Sequence, residues 1–385
     1  MKTVYLDNAA TTPVAPQVLE AMEPYLSERY GNASSLHGKG REAKQALEES
    51  RAKIAEFLGA DPSEIVFTSG ATEANNLALK GFAFANRNKG KHIITSRIEH
   101  PCVMEASKWL EGQGFEVTRL PVDKFGIVDP ATLEKNIRKD TIMVSVMTAN
   151  NEIGTIEPTK ALARLCNEKN VAFHTDAVQA YGKTPLDLKN TNMLSASAHK
   201  IYGPKGVGML FVRNGVKLDP LISGGGHERG LRSGTENVPG VVGFAAATEL
   251  MKKEMPKETP RQAKLRDMLV KETLKIPETR LNGHPTKRLP NNANFSFAYI
   301  EGESLILRLD GAGIMASTGS ACSSPKLEPS HVLLAIGLPH ALAHGSLRLT
   351  IGRQTTKEEI DYTIETLPGI VEDLRKISPL GKGKR

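Results

Sequence analysis

The run EIVFTSGATEANN, residues 64–76, changes character twice within a few positions. Its first part, Glu64 to Thr68, is β-branched and aromatic, the composition of a buried strand. Ser69 and Gly70 break the run, and Gly70 permits a tight turn. A helix-forming stretch follows at once. Thr72 at its start would present a hydroxyl and a backbone N–H at a helix N-terminus, an anion cradle suited to phosphate. An ordinary capped turn reads the same residues equally well.

The strand-then-helix unit recurs on both sides of this run. HIITS (92–96), FEVTRL (115–120), TIMVSVM (141–147) and VAFHTD (171–176) read as further strands. Between them lie helical patterns such as ALEESRAKIAEFL (46–58), closed by Gly59 as a C-cap. Such alternation implies an α/β protein, with a mostly parallel sheet covered by helices on both faces. KKEMPKETP (252–260) reads as a charged, proline-bearing connection to a second α/β unit. That unit has strands near 292–300 and 345–351 and a last helix from about 357, opened by a capping box of Thr356 and Glu359. A chain of 385 residues is long for one core, so two domains are expected.

The composition, 39% hydrophobic and 24% charged, is that of a soluble globular protein. A net charge of +7 is modest, and an anionic cofactor or acidic partner explains it as well as a nucleic acid would. The three cysteines, Cys102, Cys166 and Cys322, form no CxxC pair, which argues against a zinc site and a disulfide framework and suits a reducing cytoplasm. The N-terminus has no apolar signal region and no segment approaches the length of a membrane span, so a cytoplasmic protein is expected.

Other polar clusters end strands too, where ligands bind in open α/β sheets: EHP (99–101), NNEIG (150–154) and HTDAVQ (174–179). Asp176 closes an apolar run and should be largely buried, which is costly without a cationic partner; an N-cap role is the plainer alternative. Lys200, in SASAHKIYGPKGVG (195–208), sits among Ala196, Ala198, Ile201 and Tyr202, a poor setting for a solvated lysine. A semi-enclosed lysine can act as a Schiff-base nucleophile. Pyridoxal 5'-phosphate asks for a lysine for its aldehyde, a carboxylate for its ring nitrogen, a phosphate cradle and a flat group to stack on the ring. Lys200, Asp176, Thr72 and His100 meet those four demands in order. Cys322 stands apart in STGSACSS (317–324), where small residues offer nothing to bury a thiol.

With these motifs in order, from YLDNAATTP (5–13) through SGATE, EHP, NNEIG, HTDAVQ, SAHKIYGPKG, GGGHERGLRSGT and GSACSS to IGRQTTKEEID (351–361), the chain resembles the NifS/IscS-type cysteine desulfurases. These are fold-type I pyridoxal-phosphate enzymes of the class V aminotransferase group. The resemblance implies a large cofactor-binding domain over 14–256 with a seven-stranded, mostly parallel sheet. A smaller domain, 1–13 with 257–385, would carry the Cys322 loop. It gives Lys200 the covalent link to the cofactor, Asp176 the ring nitrogen, and Gln179 the phenolic oxygen. His100 would stack on the ring and move protons. Ala71, Thr72, Ser197 and His199 would hold the phosphate, and Thr235 would reach the phosphate of a neighbouring subunit, which implies a homodimer. Asn151, also a cofactor neighbour, and Arg348 would grip the substrate carboxylate.

The implied activity removes sulfur from L-cysteine, leaving L-alanine and a persulfide on Cys322 for an iron–sulfur scaffold protein or another acceptor, as in tRNA or cofactor thiolation. No metal site, membrane contact or direct nucleic-acid contact is implied, Cys322 being the one candidate for a transient iron–sulfur ligand. Two other readings stay open: a selenocysteine lyase, which the long stretch from Gly319 to Ser330 disfavours because sulfur delivery needs reach, and a catalytically idle assembly partner, which the pairing of Lys200 with Cys322 disfavours. Ala198, often glycine in such enzymes, and Asn192, often aspartate, are mild departures. A short basic tail after Ser378 leaves the acceptor's docking open.

Overall fold

The computed structural model describes residues 3–319 and 329–379. After a two-residue strand, β1 (Val4–Tyr5), the strands read from the sequence appear as β2 (Ile65–Thr68), β3 (His92–Ser96), β4 (Glu116–Leu120), β5 (Thr141–Ser145) and β6 (Ala172–Asp176). Two more follow, β7 (Met193–Ser197) and β8 (Gly208–Val212). They form one seven-stranded sheet in the order β2-β8-β7-β6-β5-β3-β4, in which β8 runs antiparallel to both neighbours and the remaining pairs are parallel.

Every residue of β2, β3, β5, β7 and β8 is buried, which explains why these strands read as unbroken runs and not as alternating ones. On one face Ile54, Tyr181, Phe211 and Phe244 join helices Gly38–Leu58 and Val238–Thr273 to the sheet. On the other, Val66, Leu79, Ile93 and Leu110 do so for the helical segments that follow β2 and β3. Gly59 closes helix Gly38–Leu58 at φ 65°, a left-handed conformation that glycine adopts without strain.

The stretch 252–260 is no loop. It lies within the 36-residue helix Val238–Thr273, with Pro256 and Pro260 inside. Its lysines face solvent, but its Glu254 pairs with Arg353, and the next residue, Arg261, donates to the carbonyls of Gly352, Arg353 and Thr355. These ties hold the helix where two missing N–H donors weaken its own ladder.

Beyond this helix, β9 (Thr279–Asn282), β10 (Asn292–Phe297) and β12 (Ser346–Thr350) form an antiparallel sheet centred on β10, while β11 (Ile314–Met315) pairs in parallel with β1. Val4 and Leu6 therefore share a core with Phe295, Phe297, Leu347 and Leu367. The last helix, Lys357–Ile377, opens with the Thr356–Glu359 capping box. Among the described residues, no helix is long and apolar enough to cross a membrane.

Candidate active site

Five strands of the large sheet deliver polar groups to one place at their carboxyl ends. From β2 the chain turns at Ser69–Gly70 into helix Ala71–Asn76. A Cβ at Gly208 would lie 2.8 Å from the Gly70 backbone, so only glycine lets β8 pass this turn. From β3 the chain reaches His100, whose Nδ1 accepts the Cys102 N–H at 3.2 Å and caps helix Pro101–Glu111. After β5, the Asn150 side chain accepts the N–H groups of Glu152 and Ile153, shaping the turn that carries Asn151. β6 ends at Asp176. β7 ends at Ser197, and a short 3-10 turn, Ala198–Lys200, swings Lys200 into the same space.

The space is a cavity of about 530 Å³, and Ala71, Thr72, His100, Asn151, Asp176, Gln179, Ser197, His199, Lys200 and Arg348 all line it. Lys200 Nζ donates to the Ala9 and Ala10 carbonyls at 2.7 and 2.6 Å, so the N-terminal strap closes one side. A cleft of similar size, about 540 Å³, opens beside helix Thr159–Glu168, but its Lys160 and Asp187 face each other at 3.6 Å. It gathers no comparable set of groups.

The charges around the cavity favour an anionic guest. Lys200, Lys205 and Arg348 line it, while of the carboxylates there Asp7 is paired with Arg348 at 2.8 Å and Glu73 with Arg232 at 2.9 Å. Burial, reinforced by Lys200 and Lys205, pushes the His199 imidazole down to about 4. Burial likewise lowers His100 below its ordinary 6.5, with Asp176 opposing and Lys200 and His331 assisting. Both imidazoles are therefore neutral near pH 7. Burial raises the Glu152 carboxyl, which accepts the Ser330 hydroxyl at 2.5 Å.

Two buried groups face the cavity incompletely matched. Asp176, 5% exposed, accepts the Asn75 amide at 2.7 Å and the Val178 N–H at 3.0 Å; no salt bridge to it occurs among the described residues. Arg348 spends Nη1 on the Asn151 carbonyl and Nη2 on Asp7, leaving Nε buried with no partner among the described residues. A carboxylate awaiting a cationic N–H and a guanidinium awaiting an acceptor suit a pyridinium ring and a carboxylate-bearing substrate.

Comparison with known families finds the aminotransferase class-V pattern over residues 4–363. The chain belongs to the class-V aminotransferase family. It is 57% identical over 381 residues to the cysteine desulfurase IscS of Methanosarcina thermophila, covering 98% of this chain and 94% of that relative. Among solved structures, a NifS-like protein superposes with a TM-score of 0.92 at 42% identity, covering 97% of this chain and 100% of that one. A structure described as SspA in complex with cysteine superposes with a TM-score of 0.81 at 38% identity, covering 91% of this chain and 99% of that one.

In this member of the class-V aminotransferase family, ten of the twelve residues singled out from the sequence share the cavity; the other two are Thr235 and Cys322. Thr235 lies exposed on the segment before helix Val238–Thr273 and does not line its own chain's cavity. Cys322 falls outside the described residues. Several cavity residues were not legible in advance. Cys102 has Sγ 3.0 Å from His100 Nδ1 and 3.2 Å from Asn75 Nδ2, and burial pushes its thiol up to about 12. Asn75 bridges it to Asp176. Asp7, Ala9, Ala10 and Thr11 also line the cavity. Only the polar, small-residue character of LDNAATT signalled them. Cys166 is core, packed with Leu162 and Phe173.

Proposed function

We propose that this protein is an L-cysteine desulfurase that depends on pyridoxal 5'-phosphate. The observation that carries the reading is the convergence of Lys200, Asp176, His100 and Arg348 on one cavity at the strand ends. Its 57% identity to a curated cysteine desulfurase over nearly the full chain supports the same activity.

In this reading Lys200 would hold the cofactor's aldehyde, Asp176 its ring nitrogen, Gln179 its phenolic oxygen, and Ala71, Thr72, Ser197 and His199 its phosphate. When bound, the cofactor supplies an electron sink next to the substrate's α-carbon. Arg348 and Asn151 orient the L-cysteine carboxylate, Arg348 through its unspent Nε. His100, a neutral imidazole, would stack on the cofactor ring. Since its Nδ1 accepts the Cys102 N–H, its proton resides on Nε2, the atom free to exchange protons with a guest. The Cys322 thiol then takes the sulfur: the substrate's C–S bond breaks, an S–S bond forms on Cys322, and a proton replaces sulfur on carbon. L-cysteine and the thiol become L-alanine and a persulfide with no outside oxidant or reductant.

We take the persulfide to be passed, in the cytoplasm, to an iron–sulfur scaffold protein or another acceptor, and the enzyme to work as a homodimer with Thr235 completing the phosphate site of the second copy. Residues 14–256 would form the large domain and 1–13 with 257–385 the small one, a division supported by the pairing of β1 with β11, although helix Val238–Thr273 runs through its boundary. The test is reconstitution with pyridoxal phosphate and L-cysteine. The parent protein should turn yellow and release alanine, and Lys200→Ala should do neither. A Lys200→Ala protein still joined to the cofactor at another lysine after borohydride reduction would contradict the reading.

A further inference from the structure

Lys183 is a cation that the reading above leaves unused. Four residues past Gln179, it follows Gly182, whose φ of 71° turns the chain back toward the sheet. The residue as a whole is half-buried, in a narrow cleft shared with Tyr202, Met251, Glu258 and Arg353, and its ammonium end is buried. Among the described residues Nζ has one hydrogen-bond partner, the Gln179 Oε1 at 3.3 Å. No carboxylate neutralises it there, and the charges facing it, Lys200 and Arg348, are of its own sign. Burial and those two cations bring its pKa down to about 7. Keeping such a group inside is costly.

The contacts of Gln179 give it a use. Its amide has a carbonyl end and two N–H donors. Oε1 accepts from Lys183, and Nε2 donates to the Ala9 carbonyl at 2.9 Å, the same carbonyl that receives Lys200. Flipping the amide would set its NH2 against the Lys183 donors and its oxygen against the Ala9 carbonyl, two repulsions at once. One orientation survives, and it leaves a single Nε2–H unspent on a residue that lines the cavity.

We propose that Lys183 is a positioning residue: it fixes and polarises the Gln179 amide so that a hydrogen-bond donor, never an acceptor, meets the phenolic oxygen of the cofactor. The inference rests on the cofactor reading above. An apolar side chain could fill the same space, but the Lys183 donor, together with the Ala9 carbonyl, specifies which end of the amide faces inward.

The readout is the visible absorption band of the cofactor joined to Lys200, titrated with pH. A donor on the phenolic oxygen disfavours the protonated linkage, so losing it raises the titration midpoint. Lys183→Met should raise the midpoint by about 1 pH unit, and Lys183→Arg, which keeps a donor, should stay nearer the parent. In a Gln179→Leu background the same Lys183→Met change should add little, because its effect passes through Gln179. Should Lys183→Met not fold, Lys183→Leu in the parent and in Gln179→Leu makes the same comparison. An unmoved midpoint, or shifts that add in full across the two positions, overturns the role of Lys183. If the parent itself forms no visible band, the cofactor reading fails instead, so the two failures are told apart.

Discussion

Asp176 ends a buried strand with its carboxylate held by an amide and a backbone N–H, not by a cation. Such a group is stable facing a ring N–H and serves the chemistry only while it is anionic. Asp176→Asn should therefore still fold and bind some cofactor, yet lose turnover by roughly a hundredfold or more. Near-parental turnover in that variant would remove Asp176 from the mechanism. Lys200, Asp176 and His100 were legible because each interrupts or closes an apolar run, and a polar group there must have a purpose. Cys102, Asn75 and Lys183 gave no such signal. Each matters through one contact, with His100, Asp176 or Gln179, that exists only once separate strand ends converge.

Between elements, the decisive tie is Arg51 to Glu228. Arg51, on helix Gly38–Leu58, grips Glu228 through two bonds of 2.8 Å, and both side chains are 3% exposed. Glu228 also accepts the Phe67 N–H of β2 at 2.8 Å. The pair thus pins the segment leading to Thr235, where Glu228 and Arg229 hold positive φ angles of 47° and 57° that non-glycine residues rarely adopt. Arg51→Met leaves Glu228 buried and unpaired and should lower stability by about 3–5 kcal/mol in urea unfolding. An effect below about 1 kcal/mol would mean that the pair does not hold this segment. GGGHERGLRSGT shows nothing of this, since Arg51 lies far upstream. The sequence misled at 252–260 for a related reason: charges and prolines usually mark loops, but here Glu254 and the adjacent Arg261 bond laterally to the segment 352–355 and help keep a helix intact.

Across the whole molecule, buried titratable groups set the response to pH. Burial raises Glu99 and Glu157 from 4.5 to about 8. The folded state keeps these protons up to about pH 8 while the unfolded chain releases them near 4.5, so their stabilising effect falls as pH rises between those values. His174 and His199, lowered from 6.5 to about 3 and about 4, act in the opposite sense and lose stability as pH falls below 6.5. Glu157→Gln, remote from the proposed chemistry, should gain melting temperature relative to the parent as pH rises from about 5 to about 8. A constant difference would show that Glu157 is ionised throughout. The α/β architecture itself was legible because continuous apolar runs and helical periodicity are local signals. The antiparallel β8 and the pairing of β1 with β11 depend on distant partners and were not. The activity, however, concerns a cysteine set among small polar residues, and one measurement reaches it directly. The parent protein, loaded with pyridoxal phosphate, is incubated with L-cysteine without reductant, digested, and its cysteine peptides weighed. One added sulfur atom on the Cys322 peptide, absent in Lys200→Ala, is the expected result. Added sulfur on Cys102 or Cys166 instead, or alanine formed at the parental rate by Cys322→Ser, would contradict the account.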